Sequence, residues 1–269
     1  MASSMYQMDL LIQGFPGKAV CHGGLGWSTV TLLRGAGRVI LLDVGAFGVR
    51  HELAKQLRER GVDPSAVTDV VLTHAHYDHA VNFTLFPHAQ VWIGAQELDW
   101  ASAQPPGFNP LPELYVRELV SSSRVRRIVD QQEFLPGIKA VAAPGHTPGS
   151  LVYYLSSNSV PVLFTGDAAK NRAELLSGKV DASGNREQSS DSLKTIWAYW
   201  RLQAGTVLVP GHDLSMVLDA SGQPVYQGER RASIAAWFSE SLELTTHIDL
   251  CSHASFGAAY RTPATQEMA

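Results

Sequence analysis

The sequence predicts an α+β fold of four layers, with helices outside two facing mixed β-sheets. Three observations predict it. Strand-like and helix-like segments alternate through two halves of similar size. Potential metal-ligating side chains stand directly after predicted strands in both halves. The 269 residues are 45% hydrophobic and 17% charged, an ordinary globular composition with enough chain for a large core.

Asp9–Gln13, Ser28–Leu33 and Arg38–Asp43 read as strands, β-branched or leucine-rich and punctuated by glycine. Residues 14–26, between the first two, form a long glycine-rich hairpin loop. Val49, Leu53 and Leu57 recur at helical spacing, so residues 49–60 read as a helix that Gly61 stops. After the Asp63-Pro64 turn, Thr68–Thr73 is a short strand. Ala89–Ile93 follows as a strand, with a short helix near Gln96–Trp100 and another over Leu114–Val120. Between those helices Gln104–Pro112 is a proline-stiffened loop. Arg124–Val129, Ile138–Ala142, Leu151–Leu155, Pro161–Thr165 and Thr206–Val209 read as strands. Ser192–Gln203 reads as a helix with Ile196, Trp197 and Trp200 on one side, core or dimer surface. Glu229–Leu244 reads as a long helix burying Ile234, Trp237, Phe238 and Leu242. One domain over residues 1–252 and a tail over 253–269 are expected.

Lys and Arg number 21 against 25 Asp and Glu, a net charge of −4, which disfavours nucleic acid as a partner. Arg124, Arg126 and Arg127 read as a solvated strand edge. No apolar run is long enough to span a membrane, and the first residues lack a basic, then apolar, leader. A cytoplasmic protein is expected, with a small-molecule substrate and a homodimer among its candidate assemblies. Cys21 and Cys251 cannot make a disulfide framework or a Cys₄ zinc site.

The chemistry concentrates where Thr68–Thr73 runs into His74-Ala-His76-Tyr-Asp78-His79. Alternate residues of an extended segment share a face, so His74, His76 and Asp78 point one way. His79 joins them only if the chain turns there, as on entering a helix. Imidazoles and a carboxylate so close are costly to pack without a cation. Three later segments end predicted strands with a glycine and then a ligand type: Gly145-His146, Gly166-Asp167 and Gly211-His212. Nitrogen and oxygen ligands without sulfur suit Zn²⁺, and also Fe²⁺ or Mn²⁺.

On these residues the chain resembles the metallo-β-lactamase-fold hydrolases over roughly Asp9–Asp213. The resemblance implies an αββα sandwich with two divalent ions, zinc first among them, at one edge of the sheets. It implies that His74, His76 and His146 hold one ion, that Asp78, His79 and His212 hold the other, and that Asp167 bridges. It further implies attack on a lactone or ester by a metal-bridging hydroxide, with Asp78 orienting or relaying the proton. Thioester hydrolysis of the glyoxalase II kind, a metal-dependent nuclease or phosphodiesterase, and a mononuclear-iron sulfur dioxygenase are the alternatives. Small stand-alone members, some proposed as nucleases, resemble the chain also at Asn82 and Leu85-Phe-Pro87.

Substrate contacts are expected from Lys170, Tyr77, His22 and Phe108. Lys170 stands where the family's quorum-quenching lactonases usually carry tyrosine; its ammonium could meet an anionic group, against the plainer reading of a solvated lysine. Tyr77 sits between ligands, with packing as its plainer role. His22 lies in the glycine-rich loop that in this family overhangs the metals. Both long loops are expected to border the pocket, Trp27 and Phe108 lending apolar walls.

Overall fold

A computed structural model of the chain describes residues 5–19 and 24–251. They fall into two compact units that divide after Gly228.

In the larger unit, the first sheet runs β1 (Tyr6–Ile12), β2 (Val30–Gly35), β3 (Arg38–Leu42), β4 (Asp69–Val71), β5 (Gln90–Gly94) and β6 (Val125–Ile128), in that spatial order. The first three pair antiparallel and the rest parallel. The parallel steps need crossovers. Helix α1 (Arg50–Glu59) links β3 to β4, and a short turn of helix, α2 (Tyr77–Ala80), follows β4. Helices α3 (Ala95–Ser102) and α4 (Glu113–Ser121) lie between β5 and β6.

The second sheet is built from β7 (Glu133–Leu135), β8 (Ile138–Ala142), β9 (Leu151–Leu155), β10 (Val162–Gly166), β11 (Val207–Pro210), β12 (Met216–Leu218) and β13 (Pro224–Tyr226), again in sequence order. Only β10 and β11 pair parallel, bridged by α5 (Arg172–Ser177) and α6 (Arg186–Trp200). Both helices start on asparagine caps, Asn171 and Asn185, whose side chains accept from the backbone N–H three residues on.

The period-two alternation of the strands makes the four layers. Leu41 faces α1, α3 and α4 in a core with Leu53, Leu57, Leu98, Val116 and Leu119. Its neighbours Ile40 and Leu42 face the other way, against Tyr153, Leu155, Val162 and Phe164 of the second sheet. Val152 and Tyr154 in turn face Leu175, Leu193, Ile196 and Trp200 of α5 and α6. Three apolar layers therefore separate helix, sheet, sheet and helix, the αββα order expected from the sequence.

Most strands lie within a few residues of their expected places. Helix α6 begins six residues before Ser192, because its first turns, Arg186–Asp191, are polar and show no apolar face. Trp200 is buried in the core and Trp197 packs partly buried against it. The helix expected over Glu229–Leu244 is corrected. That smaller unit holds an antiparallel hairpin, β14 (Ser233–Ala236) with β15 (Thr246–Asp249). Its expected buried face is exposed, Phe238 at 75%. No helix among the described residues is long and apolar enough to cross a membrane.

Candidate metal centre

The strands β4, β8, β10 and β11 each deliver a ligand loop from the C-terminal end. From β4 the chain runs through Leu72 and Thr73 to His74, stays extended at His76 and turns into α2. That turn brings His79 onto the side of His74, their ring centroids 4.3 Å apart. Gly166 closes β10 at φ +47°, and a Cβ there would stand 2.5 Å from Thr73 Oγ1. A Cβ on Gly211 would stand 2.4 Å from Asp167 Oδ1, so only glycine lets the β11 loop approach so closely.

All seven side chains converge. Ligand atoms of His74, His76 and His146 lie within 4.8 Å of one another, as do those of His74, His79 and Asp167, and those of Asp78, His79 and His212. His146 Nε2 is 3.0 Å from His76 Nδ1. Asp167 faces both ways: Oδ2 is 3.3 Å from His146 Nε2, and Oδ1 is 3.1 Å from Nε2 of both His79 and His212. Asp78 Oδ2 is 3.3 Å from His212 Nε2 and 3.7 Å from His79 Nε2.

The electrostatics divide the cluster. Burial holds His74 and His76 well below the ordinary imidazole range, and His146 down at about 4. These three are neutral at pH 7, the form that ligates metal. Burial also opposes charge on His79 and His212, but the Asp167 carboxylate overcomes it. His79 sits well above its usual range, with help from Asp43 and Asp78, and His212 at about 9. For Asp78 burial resists ionisation, yet His79 and His212 bring it to about 2. His74 Nε2 is buried and makes no hydrogen bond. A buried nitrogen without a hydrogen-bond partner, amid carboxylates and other imidazoles, has the chemistry of a metal ligand, so these groups are able to hold metal ions.

Two acids outside the motif complete the frame. Asp43, just past β3 at φ +50°, accepts from Thr73 N and Oγ1, both at 2.8 Å, and its Oδ2 lies 2.7 Å from His79 Nδ1. That contact leaves His79 Nε2 to face the site. A carboxylate ending an apolar strand, Leu41-Leu42-Asp43, was the legible signal for it. Glu97 on α3 is fully buried beneath the ligand loops and has no comparable sequence signal.

Of the expected substrate residues, Lys170 is only 12% exposed, so it is not the solvated lysine of the plainer reading. Its ammonium meets Glu174 at 2.8 Å and the Asp181 carbonyl at 2.6 Å. Tyr77 is 43% exposed, not packed away. Phe108 stacks edge-on to Trp100 at 5.9 Å, and Trp100 lies 6.4 Å from His76. The Tyr77 N–H donates to Pro110 O, tying the proline loop to the motif. Trp27 stacks on Phe15 at 4.9 Å at the base of the first loop. Beside it Ser28 donates to the Asp78 carbonyl, and Thr29 N–H donates to Gly211 O. His22 and Cys21 lie outside the described residues. Arg124 and Arg126 are spent on backbone carbonyls, and Arg127 on Ala95 O and Asp99.

Known proteins agree with this architecture. Metallo-beta-lactamase domain-containing protein 1 of Xenopus laevis is 29% identical over 185 residues, 68% of this chain and 70% of that protein. An N-acyl homoserine lactonase of a Bacillus species is 24% identical over 172 residues, 63% of this chain and 65% of its own. BaeB of Bacillus velezensis, a probable polyketide biosynthesis zinc-dependent hydrolase, is 28% identical over 167 residues, 60% of this chain and 62% of its own. The chain thus spans slightly less than two thirds of the latter two. Two solved structures share the fold. An N-acyl homoserine lactone hydrolase with N-hexanoyl-L-homoserine at its metal centre has a TM-score of 0.63 at 17% identity, over 79% of this chain and 94% of that one. A dizinc quorum-quenching lactonase has 0.62 at 18% identity, over 76% and 80%. A sequence model of one family matches residues 23–212, a span that holds all seven clustered side chains, and the chain belongs to that family, the metallo-beta-lactamase superfamily.

Proposed function

We propose that the protein is a hydrolase of a small carbonyl compound, a lactone or ester, that works with two divalent ions, zinc first among them. The observation that carries this reading is the division of Asp167, one oxygen toward His146 and the other toward His79 and His212. A carboxylate shared in that way suits two cations a few ångströms apart. His74, His76 and His146 would hold one, and Asp78, His79 and His212 the other. Bound ions of this kind supply a water acidified toward a pKa of about 7 and an electrophilic pull on a carbonyl oxygen.

The side chains supply the rest. Asp43 fixes the ring of His79, so the same nitrogen always faces inward. Asp78 Oδ2, 3.3 Å from His212 Nε2 and 3.7 Å from His79 Nε2, would orient the proton of the acidified water. Trp100 and Phe108 continue outward from His76 as an aromatic wall for the acyl portion. The lactonases among the relatives support a lactone or ester. Net acidity and the spent arginines speak against a phosphodiester backbone.

The test is elemental analysis of the purified protein, then turnover of lactones, aryl esters, thioesters and bis-nitrophenyl phosphate. About two ions per chain are expected, with lactone or ester turnover leading and lost in His76→Ala. Phosphodiester turnover in the lead, abolished by the same substitution, would move the protein to the nuclease branch.

A further inference from the structure

Glu97 is the buried acid that the proposed chemistry does not use. It sits in the first turn of α3 with 0% exposure. No cation among the described residues pairs with it; three donors do. Its Oε1 accepts from Ala75 N–H at 2.9 Å, and its Oε2 accepts from Thr147 Oγ1 at 2.6 Å and from Gly149 N–H at 3.2 Å. Ser150 Oγ, 2.6 Å from Thr147 Oγ1, holds that hydroxyl from its far side. The fit is close: a Cβ on Gly149 would stand 2.1 Å from the Glu97 nitrogen.

The three donors belong to two different sheets. Ala75 lies between His74 and His76, on the loop from β4. Thr147 directly follows His146, on the loop from β8. We propose that Glu97 is a positioning residue that clamps these loops together and so sets the spacing of the His74, His76 and His146 group alone. The second group is framed by other contacts. Asp43 holds His79, Ser28 holds the Asp78 carbonyl, and Thr29 holds Gly211 beside His212.

The inference rests on the two-ion reading, and a substitution that keeps the shape separates the two. In Glu97→Gln one end of the amide becomes a donor. Whichever way it lies, that end meets Ala75 N–H or Gly149 N–H, neither of which can accept. The experiment is calorimetric Zn²⁺ titration of the full-length, metal-stripped chain. Glu97→Gln is made in three backgrounds: the natural sequence, His146→Ala and His212→Ala. The natural chain should take up two ions and Glu97→Gln only one tightly, the other weakened about ten- to a hundredfold. In His212→Ala, where the first group remains, adding Glu97→Gln should weaken the remaining site by the same factor. In His146→Ala, where the second group remains, it should change affinity less than about twofold, well below that outer-contact effect. Equal weakening in both backgrounds, as general destabilisation would give, overturns the proposal, as does no weakening in either. If a double variant does not fold, Glu97→Gln alone decides: loss of one ion supports the clamp, and loss of both or neither overturns it. A natural chain that binds no Zn²⁺ overturns the two-ion reading, and the clamp with it.

Discussion

The two halves of the candidate metal centre are built on different principles. His74, His76 and His146 are neutral, carry no carboxylate of their own, and are braced from outside the group through Ala75 and Thr147. Asp78, His79 and His212 lie within ion-pair distance of one another, and the neighbouring carboxylates favour the charged form of both imidazoles. To take up a cation the second group must release protons from His79 and His212, whereas the first has none to release. The difference teaches that one centre can be prepared in two ways. Contacts from outside brace both groups, and the second adds ion pairing of its own.

Asp167 is where the two designs meet, so its loss should be the largest effect and should erase the contrast. Asp167→Asn leaves both groups without their shared anion. Acidified water and charge stabilisation each supply several kcal/mol, so turnover should fall by roughly a thousandfold or more. Elemental analysis should find both ions depleted. Retention of one ion at full occupancy would show that the groups are less joined than the geometry indicates.

The clamp can be read through pH in the metal-free protein. Burial pushes the Glu97 carboxyl from 4.5 up to about 7. Its folded-state value is therefore raised, and the folded chain binds the proton more tightly than the unfolded chain. That stabilisation is fully present below pH 4.5 and is lost as pH rises through about 7. The loss is on the order of 3 kcal/mol at most. Glutamine does not titrate, so the stability of the natural chain minus that of Glu97→Gln should shrink between pH 4.5 and 8. Urea unfolding of both chains at the two ends measures it. A difference that stays constant with pH would mean the carboxyl keeps its charge when buried.

A smaller effect should sharpen the comparison from the other side. Asp43→Asn weakens the hold on His79 Nδ1 and leaves the Glu97 contacts alone. Zn²⁺ affinity should fall about tenfold at one site only, the outer-contact range. The surviving tight site should disappear with His146→Ala but persist with His212→Ala.

How far this was legible in the sequence follows the same division. The seven clustered side chains could be named because three follow a strand and a glycine and the other four lie together in the run His74–His79. The layers could be read because Leu41 and its neighbours Ile40 and Leu42 alternate faces. Of the outer frame, Asp43 carried a signal in its place at the end of an apolar strand, and Glu97 carried none. Glu97 lies in Gln-Glu-Leu-Asp, a run that reads as the solvated start of a helix, and only the approach of Ala75 and Thr147 from two sheets makes it a clamp. The expected helix over 229–244 failed for a related reason. Ile234, Trp237, Phe238 and Leu242 do recur at helical spacing, but strand pairing of residues 233–236 with 246–249 is a contact between distant positions. A local pattern is a weak guide where such pairing competes.

Beyond the two groups, the aromatic wall tests whether binding and metal chemistry are separable. Phe108 meets Trp100, which lies beside His76 of the first group. It touches neither Glu97 nor Asp43 in any hydrogen bond, so removing its ring should leave metal content alone. Its contact is with the outer part of a substrate, and such uniform binding acts on KM more than on kcat. Losing a partly exposed ring removes on the order of 1 kcal/mol of apolar contact, so Phe108→Ala should raise KM about fivefold for a long-chain or aromatic acyl substrate. A short-chain substrate that does not reach Trp100 should be hydrolysed as before. Steady-state kinetics on a series of acyl chain lengths, with metal content measured alongside, checks this. An equal rise in KM across the whole series would remove Phe108 from the acyl wall, and a fall in metal content would show that the loop supports the first group as well.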